Sequence, residues 1–459
     1  MLKGMRGRRK ASNVEPDTAE GVVKGRSQTS TQALNAVLNG QCGTHSRRRH
    51  QREIREALLN KVPACLQESE CPCWQWKEYD KAFACEWLDT EHVVIGTKCN
   101  RLLLLNTTTQ KVRRVPIPAA PPRASAQQAA SDNSPAYGNC GIHTIGISPD
   151  RQFLATGGTN PADCQVMRIS DNNGASSSPL DMEPVQTLVG HNDWVFGVAW
   201  VTDRHVVTGS RDQQVKLWKV NTEDDAPKAN TQPLYSALPL KPSAREENYK
   251  VRDVKYDRQL GRLVSLTTNG AVQIWDPHLS HIRTVRLKHS KEVVCLAMTD
   301  SLVAVGSQSH VSLVDPRRKV PVREVESLDH SHGVRSLTFL DHLLSCGSGR
   351  GRMFFFDLRA SAYLELDPLD APAVAHHHSS GSSAGSPPGS ALPDRTTKFL
   401  QCGPGYLNQT DHVYLEHFHG EQVFNACYSH AWDPTSTRLM CVGGPLAYGL
   451  RGCYMALWD

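Results

Sequence analysis

From Phe83 onward the sequence keeps returning to one outline: an apolar run, a polar turn, a run ending in Gly-Ser or Gly-Gly, a second turn, and a run closing in Trp-Asp or a relative of it. The clearest copy is GHNDWVFGVAWVTDRHVVTGSRDQQVKLWKV, Gly190 to Val220. Its runs Trp194–Val201, His205–Thr208 and Gln214–Val220 are rich in β-branched and aromatic residues and bounded by turn chemistry. FACEW…VVIGTKCNRLLLLN and GIHTIGISPDRQFLATGGTNPADCQVMRI come before it. VRDVKYDRQLGRLVSLTTNGAVQIWDP, VVCLAMTDSLVAVGSQSHVSLVDPR, GVRSLTFLDHLLSCGSGRGRMFFFDLR and YSHAWDPTSTRLMCVGGPLAYGLRGCYMALWD come after. A lone unit of this kind leaves a strand edge unpaired and an apolar face wet, and radial stacking buries both. About seven units of this size predict an all-β, seven-bladed WD-repeat β-propeller.

The last unit stops at ALWD, which by comparison with the others is a third strand. Closure then requires the missing outer strand to come from the N-terminal side, from Cys73 to Asp80. The domain reading is a disordered basic tail at 1–50, a helical arm at 51–72 and the propeller at 73–459. In the arm, Ile54, Leu58 and Val62 recur at helical spacing with Leu59 and Leu66 near the same side, and Pro63 limits or kinks the helix. Such an arm either packs on its own domain or inserts into a partner's groove. Four inserts, 116–137, 171–179, 221–247 and 370–397, read as solvated loops at blade turns, the last containing HHHSSGSSAGSPPGS.

Composition excludes several classes. The balance of 51 Lys+Arg against 46 Asp+Glu gives +5, too little to argue nucleic-acid binding without clustering. No apolar run has membrane-spanning length. Lys3, Arg6, Arg8, Arg9 and Lys10 have no apolar segment behind them, so they read as a nuclear-localisation signal or a solvated tail, not a secretory leader. The 14 cysteines are irregularly spaced, and Cys85, Cys99, Cys295, Cys346 and Cys441 fall in strand-like apolar stretches, which favours a reducing interior. Cytoplasmic and nuclear residence is the expectation. The pair Cys71 and Cys73 and the tract His376 to His378 lack the paired spacing of a metal site, and no cofactor is expected.

His191, Ser210 and Asp212 resemble a nucleophilic triad in composition, but within a WD-repeat blade they have another use. With Trp218 they are expected to form a buried hydrogen-bond chain that fixes the turns, with His289 and His332 in analogous positions of other units. With no phosphate loop or paired-carboxylate site elsewhere, a binding protein is expected, not an enzyme.

Two features point to binding surfaces. VDPR and FDLR place Asp315, Arg317, Asp357 and Arg359 at the ends of two successive units, so two guanidinium forks face the same way. Lys98 and Arg211 follow second strands, while Lys250, Arg252 and Arg335 lie where first strands start. In a propeller both kinds of turn surround one mouth of the central channel. Cations there make a focused field suited to an acidic peptide more than to a duplex.

GTKCN (Gly96–Asn100), GNCGIHTIGISP (Gly138–Pro149), LATGG (Leu154–Gly158), VGSQSHVSLVDPR (Val305–Arg317) and the terminal GGPL…GCYMALW resemble the cullin-4-associated factor twelve family of WD-repeat substrate receptors. The resemblance covers roughly Trp74 to Asp459. It implies a non-catalytic subunit that docks through the two Asp-x-Arg boxes on the propeller adaptor of a cullin-4 RING ubiquitin ligase. It also implies that Lys98, Arg211, Lys250, Arg252 and Arg335 bind targets with acidic C-termini, a pair of glutamates above all. The other class of function open to such a ring is a scaffold for a signalling or chromatin complex unrelated to ubiquitination.

Overall fold

The computed structural model describes residues 59, 61–63, 65, 66, 73, 74, 76–119, 141–170, 180–221, 232–238, 249–299, 301–365, 399–447 and 449–459. The basic tail, Ile54 and Leu58 of the arm, Cys71, His376 to His378, the insert 171–179 and most of the other three inserts lie outside them.

Seven antiparallel sheets of four or five strands are arranged as blades. Their inner strands are Ala82–Trp87, Ile145–Ile147, Val195–Thr202, Val251–Asp257, Cys295–Thr299, Val334–Leu340 and Asn425–Trp432, for blades 1 to 7 in chain order. Inner strands of successive blades touch, and Asn425–Trp432 returns to pack against Ala82–Trp87, so the ring closes. The core lies between blades: Phe153, Val166 and Leu188 of blade 2 pack with Val198, Trp200 and Trp218 of blade 3. Each pleated face is thus covered by its neighbour, as the alternating apolar runs require.

The glycine that recurs near the end of every second strand but that of blade 4 has a packing cause in blades 3 and 6. A Cβ on Gly209 would stand 2.6 Å from Val251 Cγ1, and one on Gly347 would stand 2.6 Å from Cys427 Sγ. Both contacts are with the start of the next blade's inner strand, so the glycines set how closely blades approach at this end of the ring.

Blade 7 is closed from the N-terminal side, as expected, by Cys73–Trp74, with Cys73 opposite Ala456 and Trp74 opposite Met455. The pairing is two residues long, and Tyr406–Leu407 adds a second short strand on Gly452–Trp458. Blade 6 is split likewise, its third strand pairing with both Ala362–Tyr363 and Phe399–Gln401 on either side of the long insert. The reading of 221–247 as loop throughout needs correction. Tyr235–Ala237 is the outer strand of blade 3, opposite Val215–Leu217. It is short and largely exposed, so it carries no buried alternation to mark it. Cys99 also differs: it occupies the turn after His92–Thr97, where its thiol meets Thr97 Oγ1 at 3.1 Å.

The described part of the arm packs on the ring. Leu59, Val62 and Leu66 are buried, Leu59 against Leu340 and Leu343 of blade 6 and Leu66 in the cluster shared by blades 6 and 7. Cys65, two residues past Pro63, is helical, and Leu66 N–H donates to Val62 O at 3.0 Å, so Pro63 does not end the helix. Deleting residues 1–80 removes the closing strand and these three aliphatic anchors. Each anchor contributes about 1.5–3 kcal/mol, so the ring should lose several kcal/mol. Thermal melting checks this: an unchanged midpoint in the truncated protein rules out the closure as a stabilising element.

Candidate functional sites

The triad-like residues of blade 3 form a structural chain with one change of member. Trp218 Nε1 donates to Thr208 Oγ1 at 2.8 Å, and Thr208 Oγ1 meets His191 Nε2 at 2.7 Å. His191 Nδ1 meets Asp212 Oδ2 at 2.9 Å. The Asp212 carboxylate can only accept, so Nδ1 of the neutral imidazole carries the proton, and Nε2 accepts from the Thr208 hydroxyl, whose oxygen accepts from the indole N–H. Burial holds the His191 pKa below its ordinary value, against the pull of Asp212. Ser210 is outside this relay. It lies one pleat period beyond Thr208 on the same face, donating to Asp193 O at 2.8 Å and accepting from Asp212 N–H at 3.1 Å. Blade 4 keeps the inner half, Trp275 Nε1 donating to Ser265 Oγ at 2.9 Å. His332 Nδ1 lies 3.2 Å from Asp329 Oδ1, and His289 stacks on His310 with centroids 3.5 Å apart.

At the channel mouth the inner strands share an irregularity. Their register slips by one residue at Phe83, Phe196, Arg252, Arg335 and Tyr428. A bulged residue has no cross-strand partner and its side chain is re-aimed. All five line one cavity of about 470 Å³, with His143 of blade 2 and Val294 of blade 5. The ring therefore has two arcs. Tyr428, Phe83, His143 and Phe196, from blades 7, 1, 2 and 3, are aromatic; Arg252 and Arg335, from blades 4 and 6, are cationic.

The arcs are joined. Phe83 and His143 stack at 4.7 Å between centroids, and Tyr428 meets Phe83 edge-on at 5.3 Å. His143 meets Phe196 at 4.8 Å, and the Arg252 guanidinium lies 4.5 Å from the Phe196 centroid. Gly141, at φ +83, allows the approach; a Cβ there would come within 2.7 Å of Lys98 Cα and 3.1 Å of the Phe83 ring.

The five cations expected at the mouth divide into two groups. Arg252 and Arg335 face the channel together, and burial first, with the Arg335 charge also contributing, lowers the Arg252 pKa. Arg335 is braced by Glu292, Nη2 to Oε2 at 2.7 Å, and by donating from Nε to His332 O at 3.0 Å. Lys98 and Arg211 are set farther out, each already held: Lys98 Nζ by Asp80 at 2.7 Å, Arg211 Nε by Asp193 at 3.3 Å with its guanidinium 5.2 Å from the Trp194 centroid. Lys250 is partly exposed just before the Arg252 strand, its carbonyl accepting from Thr268 N–H at 2.9 Å. Sequence reasoning missed Lys81, which is buried beside Lys98; its Nζ donates to Ala447 O at 3.1 Å, and burial followed by the Lys98 charge lowers its pKa to about 8. It also missed the aromatic arc, whose signal at Phe83 and Phe196 is the residue after the inner strand's first apolar position.

The two Asp-x-Arg boxes follow third strands, which puts them at the opposite end of the blades from the mouth. In both, the Asp accepts from the backbone N–H two residues on, at 2.9 Å for Asp315–Arg317 and 2.8 Å for Asp357–Arg359. Arg317 closes a two-pronged pair on its own Asp315 at 3.0 Å on each prong, which holds the Asp315 pKa below the usual range. Arg359 leans to His342, Nη2 to Nε2 at 2.8 Å. Each turn is braced from the preceding blade: Arg283 donates to Pro316 O at 3.3 Å and Arg323 to Ser361 O at 3.0 Å. His342 lies in the Leu340–Leu343 turn under Leu59, so the arm and the second box share one neighbourhood.

Comparison with known proteins agrees with this geometry. Over 204 residues the chain is 26% identical to a ribosome biogenesis protein WDR12 homolog of Aedes aegypti, covering 40% of this chain and 44% of that protein. It is 25% identical over 150 residues to a guanine nucleotide-binding protein subunit beta of Solanum tuberosum, covering 31% and 32%. These matches span less than half of either relative. The DDB1- and CUL4-associated factor 12 beta propeller matches residues 63–459, beginning ahead of the Trp74 limit of the resemblance read from motifs. With seven blades, both boxes and the cationic mouth inside that span, the chain belongs to the DDB1- and CUL4-associated factor 12 β-propeller family.

Proposed function

We propose that this protein is the substrate-recognition subunit of a cullin-4 RING ubiquitin ligase. It binds the ligase's propeller adaptor through one face and the acidic C-terminus of a target, two glutamates in particular, at the other. The observation that carries the reading is the placement of Arg252 and Arg335, turned by bulges into one channel at the end of the ring opposite the Asp-x-Arg boxes. A target held at the mouth leaves the opposite face open for the adaptor. The protein supplies recognition and no bond-making step of its own, and it works in cytoplasm and nucleus.

Adaptor docking is tested by Arg317→Ala with Arg359→Ala. Affinity for the adaptor should fall about tenfold or more, since charge-assisted hydrogen bonds contribute about 1.5–3 kcal/mol each. Both side chains reach solvent, so the variant should melt like the wild type. A folded double variant that co-purifies with the adaptor as well as the wild type removes these residues from the interface. A wild-type protein that captures no adaptor favours a scaffold outside ubiquitination.

A further inference from the structure

Beneath the Arg252–Arg335 level the charge in the channel reverses. Asp253, one residue deeper than Arg252, lines the same cavity. A second cavity of about 670 Å³ opens toward the far end of the ring and is lined by Pro149, Arg151, Trp200 and Arg258 among others. The two cavities have Glu86, Ile145, Lys255 and Met298 in common, so these four side chains mark the waist of the channel. Lys255 Nζ lies 3.8 Å from Asp253 Oδ1, and its charge also acts on Glu86. The layer below the mouth thus carries two carboxylates against one ammonium, with Arg151 of the second cavity also acting on Glu86.

We propose, on the reading of the mouth just given, that Asp253 and Glu86 form an acidic floor that stops an incoming chain end at the Arg252–Arg335 level. The mouth then reads the last residues of an acidic chain and rejects one that must run past them. Open space continues below the shared layer, and the proposed stop acts through charge. A carboxylate pushed to that depth leaves two guanidinium groups and meets two like charges in a desolvated channel, where repulsion is poorly screened. Burial raises the pKa of both Asp253 and Glu86, so negative charge is already disfavoured at this depth. The device works by excluding the wrong ligand.

The test uses the full-length protein and two labelled peptides with free carboxylates, one ending in Glu-Glu and one extended to Glu-Glu-Gly-Gly. The wild type should prefer the first by about tenfold or more. Asp253→Asn with Glu86→Gln, both near-isosteric, should reduce the preference to about threefold or less by improving the extended peptide. Lys255→Met, which strips the floor of its counter-charge, should weaken both peptides, the extended one more, and so sharpen the preference. If melting shows the double variant to be unfolded, the single substitutions carry the test, each relaxing the preference in part. Wild-type preference retained in folded variants overturns the floor while leaving the mouth intact. A wild type that binds the Glu-Glu peptide no better than one ending in Ala-Ala overturns the mouth, and the floor with it.

Discussion

Replacing Arg252 and Arg335 together with Ala will cost about two to four orders of magnitude in affinity for a peptide ending in two glutamates. The figure follows from two charge-assisted contacts at about 1.5–3 kcal/mol each, with 1.4 kcal/mol per decade of affinity. Both guanidinium groups face the channel, and no blade core is built on them, so the variant should retain a cooperative melt. Lys98→Ala and Arg211→Ala should each cost far less, because neither lines the cavity that Arg252 and Arg335 face, and both are engaged by Asp80 and Asp193. Partly exposed pairs of this kind are worth about 0–1 kcal/mol. Fluorescence anisotropy on the three variants ranks the contributions. A double variant within threefold of wild type would remove the channel arginines from recognition.

The second large effect is on stability. Trp218→Ala deletes a fully buried indole between blades 2 and 3 and strands the hydroxyl it bonds, and should cost about 3–5 kcal/mol. Thr208→Val keeps the volume but leaves the indole N–H and His191 Nε2 without partners, at about 1–3 kcal/mol for each buried group left unsatisfied. Ser210→Ala breaks only turn contacts and should cost about 1 kcal/mol. Urea unfolding of the set decides the membership of the chain. If Ser210→Ala is as damaging as Thr208→Val, the relay has been assigned to the wrong residue.

The ring and its closure were legible because they follow from local physics. Period-two apolar runs, turn residues at fixed offsets and a final unit lacking its outer strand require nothing from distant residues. The mouth was legible only in part. That Arg252 and Arg335 start their strands can be read from YKVRDV and GVRSL, but alternation does not say that a bulge turns them into the channel. The same slip hid Phe83, Phe196 and Tyr428, which read as ordinary apolar strand residues. Thr208 and Ser210 share a face, and only the reach of Trp218 distinguishes them. Asp80 beneath Lys98 and Glu292 beside Arg335 come from other blades or connections, so nothing near the cations in sequence announces them. The outer strand Tyr235–Ala237 had no buried period to betray it.

The two-residue strand that seals blade 7 follows shortly after the helical segment whose Leu59 and Leu66 are pressed onto blades 6 and 7. Latch and handle are therefore one piece of chain. A ligand that grips the helix in the folded protein, and not in the unfolded one, makes the last blade harder to open by its own binding free energy. Occupancy at the rim then becomes a determinant of how long the whole molecule survives.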